Sequence, residues 1–356
     1  MSENYDITAV ISTYNRSEML PAALDSVLTQ EGCNYRYEVV VVDNNSSDST
    51  RDVVESYIAR GHSNLRYVFE PNQGSSYARN AGVAASRSET LAFADDDVRV
   101  AKNWISTIKR AFDEHPKVDC VGGKVLPVWA TPAPAWFTRE HWAPLALQDY
   151  GDGLLSINLN NRLCLVSANL AFRRRALVDI GLFAPELQRI KDGIGSMEDA
   201  ELLERYWQTG RECLYLPDLI VETDVAPERL TKTYHKRWHL GHGYFYAIKR
   251  SDDLERGYAR LFDVPAHLYK RAVIDAAKWL LFCLVDPRRA FAYQIRLSFF
   301  WGFFRKRRAD YRATSYRGLS REFINFLRSF AQKIHLIKPG PLAVETGPIV
   351  NRNKVA

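Results

Sequence analysis

The sequence predicts an α/β protein: a mostly parallel sheet flanked by helices, followed by a helical C-terminal region. Over the first 125 residues, short apolar runs alternate with segments whose apolar residues recur at helical spacing. This alternation is typical of βαβ units, which build parallel sheets. From about residue 254 to 337 the chain is aromatic and basic, and its pattern indicates helices without strands.

The predicted strands follow one another with a helix after each of the first four. They fall at residues 7–11, 38–42, 65–69, 90–94 and 118–124. A capping-box spacing from Ser49 to Asp52 predicts the start of the second helix. Residues 127–150 are rich in proline and tryptophan and predict either an ordered insertion near the functional site or a loop that faces a substrate. Beyond it we expect a strand and turn at 163–173, a helix at 199–208 and a strand at 214–216.

Composition and net charge limit the class of protein and the partners that the sequence allows. The chain has 356 residues, of which 46% are hydrophobic and 25% charged, as in an ordinary globular protein. Its net charge of +6 favours an anionic partner: a nucleotide, a nucleic acid or an anionic lipid. The five cysteines are scattered without a C-x-x-C pair, which indicates a reducing compartment. The polar N-terminus indicates no signal peptide, and no run reaches the roughly 20 apolar residues of a membrane span.

Acidic and polar residues follow the predicted strands. Asp43 ends the second strand, and Asp95, Asp96 and Asp97 end the fourth. In parallel sheets these strand ends share one edge, where ligands bind. Three adjacent carboxylates repel one another unless a cation or solvent compensates them, and hard divalent cations prefer oxygen ligands. The alternative is a solvated aspartate-rich turn.

A second acidic group is Glu198 and Asp199, which follow a glycine-containing segment and begin a predicted helix. The helix N-terminus favours the charged form of a carboxylate. Such a carboxylate can serve as a general base toward a hydroxyl group. The alternative is a pair of acids that only cap the first turn.

Taken in order, these motifs resemble those of the family 2 glycosyltransferases, which have the GT-A fold and use nucleotide-sugar donors with inversion of the anomeric centre. The resemblance covers roughly residues 5–225. It rests on VISTYNR at 10–16, VVVDNNSSDST at 40–50, NQGSSYARNAG at 72–82, FADDD at 93–97, ANLAFR at 168–173, IGLF at 180–183 and the pair Glu198 and Asp199.

The resemblance implies a role for each matching position. Asp199 would be the catalytic base, with Glu198 beside it, and Asp97 and Asp95 would hold Mn²⁺ or Mg²⁺ on the diphosphate. The nucleotide-sugar donor, for which a UDP-sugar is favoured, would contact the remaining positions: Thr13, Tyr14, Asn15, Asp43, Asn45, Asn72, Gly74, Arg79, Asp95 and Asp96. The acceptor would be a saccharide or a lipid-linked saccharide, in cell-surface polysaccharide or glycoconjugate synthesis.

The domain organisation follows from the same patterns. We predict a GT-A catalytic domain at 1–250, with a nucleotide-sugar half at about 1–125 and an acceptor half at about 126–250. A helical basic region would span 251–338, and a flexible tail 339–356. The basic region is either a platform on an anionic membrane or a subdomain packed on the core; the basic residues 305–308 beside the aromatic run 299–304 favour the membrane. The expected location is the cytoplasm or the cytoplasmic face of a membrane.

Other classes of function fit less well. A nucleotidyltransferase needs an early G-x-G-x-R loop, and a dinucleotide-binding oxidoreductase needs G-x-G-x-x-G after the first strand; both are absent. A non-catalytic protein that binds nucleotide-sugar or nucleic acid is the alternative from a different class. The acidic triplet would repel nucleic acid, so we expect no nucleic-acid partner.

Overall fold

A computed structural model describes residues 5–32, 34–188, 193–256 and 259–333 of the chain. Within these ranges the strands are β1 Ile7–Thr13, β2 Tyr37–Asp43, β3 Leu65–Phe69, β4 Thr90–Asp95, β5 Val98–Val100, β6 Cys120–Trp129, β7 Leu155–Ile157, β8 Leu170–Arg173, β9 Cys213–Val225, β10 Arg260–Leu261 and β11 Val264–Pro265. The α-helices are α1 Leu20–Leu28, α2 Thr50–Ala59, α3 Ser75–Ala85, α4 Trp104–Glu114, α5 Arg174–Ile180, α6 Glu198–Gln208, α7 Lys232–Lys249, α8 Ala266–Phe282 and α9 Pro287–Lys333. The predicted tail, 339–356, lies outside the described residues.

One large sheet carries the fold, in the order β3-β2-β1-β4-β8-β6-β9-β5, with β7 paired to β9. The strands β1 to β4 pair in parallel. The strand β8 runs antiparallel between β4 and β6, and β9 is parallel to β6. The predicted α/β class with a helix-flanked, mostly parallel sheet is therefore confirmed, and the antiparallel pairs lie in the second half of the sheet.

The unbroken valine run of β2 is explained by two hydrophobic cores, one on each face of the sheet. Val39 and Val41 pack into one core, while Val40 and Val42 pack into the other. Successive side chains of a strand point to opposite faces, so a strand covered on both sides must be apolar at every position. This is why the first strands could be located from sequence.

The sequence pattern predicted the bounds of several other elements less accurately. The strand predicted at 163–173 begins only at Leu170, and β9 extends far beyond 214–216. The short strands β5 and β7 were not predicted. The predicted capping box does not form, because the Ser49 side chain makes no capping hydrogen bond. Asp48 takes the place of Ser49 at the start of the helix. Its carboxylate accepts hydrogen bonds from the Thr50 backbone N–H, at 3.0 Å, and from the Ser17 backbone N–H, at 2.9 Å.

The C-terminal region is helical, as predicted, and α9 packs closely against α7. A Cβ atom on Gly243 would collide with the Phe299 carbonyl, and one on Gly302 would collide with the Leu240 carbonyl. The two helix backbones therefore touch at two glycines. The proposed boundary at residue 250, between α7 and the later helices, stays a prediction.

The aromatic and basic run at 299–308 is divided between the interior and the surface. Phe303 and Arg307 are fully buried, and the Arg307 guanidinium pairs with Asp263, at 3.0 Å, and with Glu255. Trp301 is 63% exposed, and Arg305 and Arg308 are exposed as well. The hypothesis that this run lies on a membrane stays a prediction for its outer side. Among the helices that the structure describes, none has the length and hydropathy required to cross a bilayer.

Candidate active site

The carboxyl ends of three neighbouring strands meet at one edge of the sheet. The pairing register places Thr13 of β1 opposite Asp43 of β2, and Ser12 opposite Asp95 of β4. Three of the positions predicted to bind the donor, Thr13, Asp43 and Asp95, are thus adjacent at this edge. Tyr14, Asn15 and Asn45 lie on the loops that leave β1 and β2.

The loops after β1 and β2 are joined by hydrogen bonds. The Asn15 carboxamide oxygen accepts a hydrogen bond from the Ser47 backbone N–H at 2.7 Å, and the Asn15 N–H donates to the Ser46 hydroxyl at 2.9 Å. Asn15 and Asn45 have φ angles of +51° and +63°. Asparagine tolerates this left-handed conformation better than most residues, which accounts for asparagine at both turns.

Asp43 is buried and held from two sides. Its carboxylate accepts hydrogen bonds from the Tyr67 hydroxyl at 2.7 Å and from the Ser46 backbone N–H at 2.9 Å. Burial, and next the hydrogen bond to Asp43, raise the pKa of the Tyr67 hydroxyl above its usual value. Tyr67 was missed by sequence reasoning; its place on the neighbouring strand β3 was the available signal.

The loop before α3 places Asn72 and Gly74 beside these turns. The Asn44 side chain donates to the Asn72 carbonyl at 2.6 Å and accepts from the Gly74 N–H at 2.6 Å. Gly74 has a φ of +147°, and a Cβ atom there would collide with the side chain of Gln188. Glycine is therefore required at 74, and Gln188, which also accepts from the Ser76 N–H at 2.8 Å, was not predicted.

The aspartate triplet is compensated by two arginines. The Asp97 carboxylate pairs with Arg16 at 2.7 Å, and the Asp95 carboxylate pairs with Arg79 at 3.2 Å. The middle carboxyl, Asp96, lies 3.7 Å from Arg16 and is buried, which raises its pKa to about 7. The side chains of Asp95 and Asp97 are 31% and 18% exposed, against 9% for Asp96, so the outer two are the more accessible to solvent.

Arg79 links the triplet to the acid pair. Its guanidinium contacts Asp95 through one nitrogen and the Glu198 carboxylate through the other, both at 3.2 Å. The Ser75 hydroxyl also donates to Glu198, at 3.0 Å. Burial opposes the charge of Arg79, but the carboxylates of Asp95, Asp199 and Glu198 outweigh it and raise its pKa. The two acidic groups, about 100 residues apart in sequence, thus meet on one buried arginine.

Asp199 lies in the first turn of α6. One of its carboxylate oxygens accepts hydrogen bonds from the Ser167 backbone N–H, at 3.0 Å, and from the Ser167 hydroxyl, at 3.1 Å. The other oxygen is buried and has no hydrogen-bond partner among the described residues. Burial raises the pKa of Asp199 to about 6, against the opposing charge of Arg79. Ser167 was missed by sequence reasoning, although it directly precedes the ANLAFR motif.

The segment before the acid pair docks on helix α7. Gly195 has a φ of +84°, and a Cβ atom there would lie 2.7 Å from the His242 backbone nitrogen. A Cβ on Gly241 would likewise collide with the Ile194 carbonyl. The ring of His242 stacks on Trp238 with centroids 4.3 Å apart and hydrogen-bonds to the Ser196 carbonyl at 3.3 Å. Helix α7 therefore positions the acid pair through backbone contact.

The residues present fit a divalent cation only in part. No group of three or more His, Cys, Asp or Glu side chains in the described chain gathers closely enough to hold a metal ion by itself. Magnesium, however, is commonly held by one or two carboxylates together with substrate phosphates. The partly exposed carboxylates of Asp95 and Asp97 supply oxygen ligands of that kind.

Comparison with known proteins gives a family match for just under half of the chain. Residues 8–181 match the model described as glycosyl transferase family 2. The chain carries a glycosyl transferase family 2 domain. The glucosyl-dolichyl phosphate glucuronosyltransferase of Haloferax volcanii is 26% identical over 216 residues, covering 59% of this chain and 66% of that protein. Glycosyltransferase AglE of the same organism is 28% identical over 186 residues, covering 51% of this chain and 57% of that protein.

The matches therefore span less than two thirds of the length of these two relatives. Among solved structures, a mannosyltransferase from Pyrobaculum calidifontis in complex with GDP-Man and Mn²⁺ matches with a TM-score of 0.50. It is 17% identical, and the match covers 93% of this chain and 81% of that one. Such likeness confirms the GT-A fold that the family 2 motifs imply.

Proposed function

We propose that the protein transfers a sugar from a nucleotide-sugar donor to an acceptor hydroxyl, with inversion at the anomeric carbon. One observation carries this proposal: the Asp199 carboxylate is fixed through one oxygen, while its other oxygen is buried with no hydrogen-bond partner among the described residues. Its neighbour Glu198 pairs with Arg79, which also pairs with Asp95 of the triplet, and the charge of Asp199 acts on the same arginine. The candidate base and the acidic edge thus lie around one arginine.

Asp199 has the properties of a general base. Because burial raises its pKa to about 6, the carboxylate is mostly ionised near neutral pH and yet more basic than an ordinary aspartate. Ser167 fixes its orientation. In the proposed reaction Asp199 takes the proton of the acceptor hydroxyl while the hydroxyl oxygen attacks the anomeric carbon. Glu198 would assist by holding Arg79 in place.

The donor would lie along the edge formed by β1, β2 and β4. Asp43 would accept hydrogen bonds from the base or ribose, since its carboxylate is already oriented by Tyr67 and Ser46. Asp97 and Asp95 would hold Mn²⁺ or Mg²⁺ at the diphosphate. When bound, the cation would neutralise the charge that develops on the leaving nucleoside diphosphate. Arg16 keeps the Asp97 carboxylate in position.

A donor screen by heat-denaturation shift tests this assignment. UDP-, GDP- and dTDP-sugars would be compared, each with and without Mn²⁺ or Mg²⁺. We expect one nucleotide class, with the UDP-sugars favoured, to raise the midpoint of unfolding in a metal-dependent way, because a ligand that binds only the native state stabilises it. Absence of a shift with every donor would contradict the proposal, and an equal shift without metal would contradict the role of Asp95 and Asp97.

The acceptor is proposed to be a saccharide or a lipid-linked saccharide in cell-surface polysaccharide or glycoconjugate synthesis. The names of two relatives support this: a glucosyl-dolichyl phosphate glucuronosyltransferase and a minor teichoic acid biosynthesis protein of Bacillus subtilis. We propose a cytoplasmic location, with peripheral attachment to the membrane. The non-catalytic alternative is not favoured, since the relatives found are glycosyltransferases.

A further inference from the structure

The second half of helix α8 and the turn that follows it expose a row of large apolar side chains. The most exposed are Leu284 at 92%, Val285 at 72% and Val273 at 69%; Leu280, Leu281 and Ile274 complete the row. We call these six side chains the apolar face of α8. Single exposed apolar residues are ordinary, but a contiguous group of this kind marks a surface that binds something apolar.

This face is not an unfinished part of the core. The opposite side of α8 already packs on α9: Leu268 is fully buried, and Phe282 stacks on Tyr293 with centroids 5.8 Å apart. The buried Asp275 pairs with Arg296 of α9 at 2.9 Å. Since α8 is held in place by its inner side, its outer side is free to bind a partner.

Basic side chains surround the apolar face. Five exposed ones lie on α8 or in the first turn of α9: Lys270, Arg271, Lys278, Arg288 and Arg289. The acids of the same stretch offset only one of them: Asp286 pairs with Arg289 at 3.3 Å, while Asp275 is buried and pairs with Arg296 of α9. A second copy of this chain would have to bury these like charges together. An anionic lipid surface accepts the apolar side chains and the cations at once.

The helices connect this face to the candidate base by close contacts. The α7 and α9 backbones touch at Gly243 and Gly302, and α7 in turn touches the segment before Asp199 at Gly241. A surface fixed to α9 is therefore held at a fixed distance from the acid pair. This arrangement suits an acceptor presented by a membrane.

We propose that the apolar face of α8, with its basic surround, docks the protein on an anionic membrane surface. This places the attachment on α8 and the α8–α9 turn, and not on the run at 299–308 that the sequence favoured. The inference rests on the proposed function in one respect only, namely that docking would bring the site to a lipid-linked acceptor. Binding itself can be measured without any acceptor.

Co-sedimentation with vesicles tests the inference. The full chain would be mixed with vesicles of phosphatidylcholine alone or of phosphatidylcholine with phosphatidylglycerol. We expect binding to the anionic vesicles that falls as salt is added. The double variant Leu280→Glu, Leu284→Glu should bind at least about tenfold more weakly, because both side chains leave water on binding. Lys278→Glu with Arg288→Glu should lose about tenfold or more of the preference for anionic vesicles.

A matched control is Val178→Glu, since Val178 is 75% exposed but lies on α5, away from α8. Its binding should equal that of the wild type. Three outcomes would overturn the inference: no binding of the wild type to anionic vesicles, undiminished binding of the leucine variant, or a lipid-free dimer that the leucine variant converts to monomer. The donor-induced heat-denaturation shift, measured on the same samples, separates this from the proposed function. Absence of this donor-induced shift in a protein that still binds vesicles would contradict the proposed function but not the membrane inference.

Discussion

The two acidic groups of the site differ in how their charge is balanced. In the triplet, the exposed carboxylates of Asp95 and Asp97 each pair with an arginine, and the buried Asp96 has its pKa raised to about 7. In the acid pair, Glu198 and Asp199 each keep one buried oxygen without a hydrogen-bond partner in the described structure. The charge of the triplet is therefore largely compensated, and the pair retains a carboxylate oxygen that the proposed function uses for proton transfer.

The two acidic groups differ in charge balance because they lie in different elements of the fold. The triplet lies at the end of strand β4, where the side chains of Asp95 and Asp97 stay partly exposed. The pair begins a helix that is covered by Ser167 on one side and by α7 on another. Burial without full pairing is costly, and it is tolerated where it tunes a pKa for function.

The largest expected effect comes from removing the Asp199 carboxylate. Asp199→Asn should lower turnover by about 10²- to 10⁴-fold, the usual contribution of general base catalysis, while the donor-induced heat-denaturation shift is kept. Steady-state kinetics of sugar transfer would measure it. The control Glu201→Gln removes a carboxylate from the same turn that pairs with Arg205 instead, and should leave turnover near normal. A similar loss in both variants would contradict the assignment of Asp199.

Breaking the link between the two groups should destabilise the fold. Arg79→Gln leaves Glu198 buried with its charge unpaired, which costs about 3–5 kcal/mol of unfolding free energy in comparable pairs. Arg51→Gln removes an exposed pair with Glu55 on α2 and should cost about 0–1 kcal/mol. Urea unfolding of both variants would measure the difference. Equal losses of unfolding free energy in the two variants would show that Arg79 does not bridge the triplet and the acid pair.

A smaller effect is expected where α7 supports the acid pair. Gly241→Ala places a methyl group against the Ile194 carbonyl and should cost about 1–3 kcal/mol, as overpacking does. It should also lower turnover, because the segment before Glu198 and Asp199 must move. Gly153→Ala, with nothing within 4 Å of its added Cβ, is the matched control. Unchanged stability and turnover in both variants would exclude the docking of this segment on α7.

The mildest test is the pH profile. Asp199 must be deprotonated to act as a base, so activity is present above its pKa and is lost as pH falls through it. With a pKa of about 6, kcat/KM at pH 5 should be about tenfold below its plateau. A profile that stays flat down to the ordinary aspartate pKa would show that burial does not raise the pKa of the base.

Much of the first half of the fold was predictable, because parallel strands covered on both faces are unbroken apolar runs. Strand ends then place polar residues such as Asp43 and Asp95 at one edge. The partners of these residues were not predictable. Arg16, Ser167 and Gln188 act across long stretches of chain, and no local pattern marks which polar residue will meet a given carboxylate.

The sequence by itself determined the α/β class, the positions of the two acidic groups and the family to which they point, because these depend on local periodicity and short motifs. Only the tertiary structure decided that Arg79 joins the two groups, that α7 supports the acid pair, and that α8 bears the exposed apolar face while residues such as Phe303 and Arg307 turn inward. The physical reason is that burial and pairing depend on which helices pack together, and an aromatic, basic helix pattern does not specify which of its faces is covered.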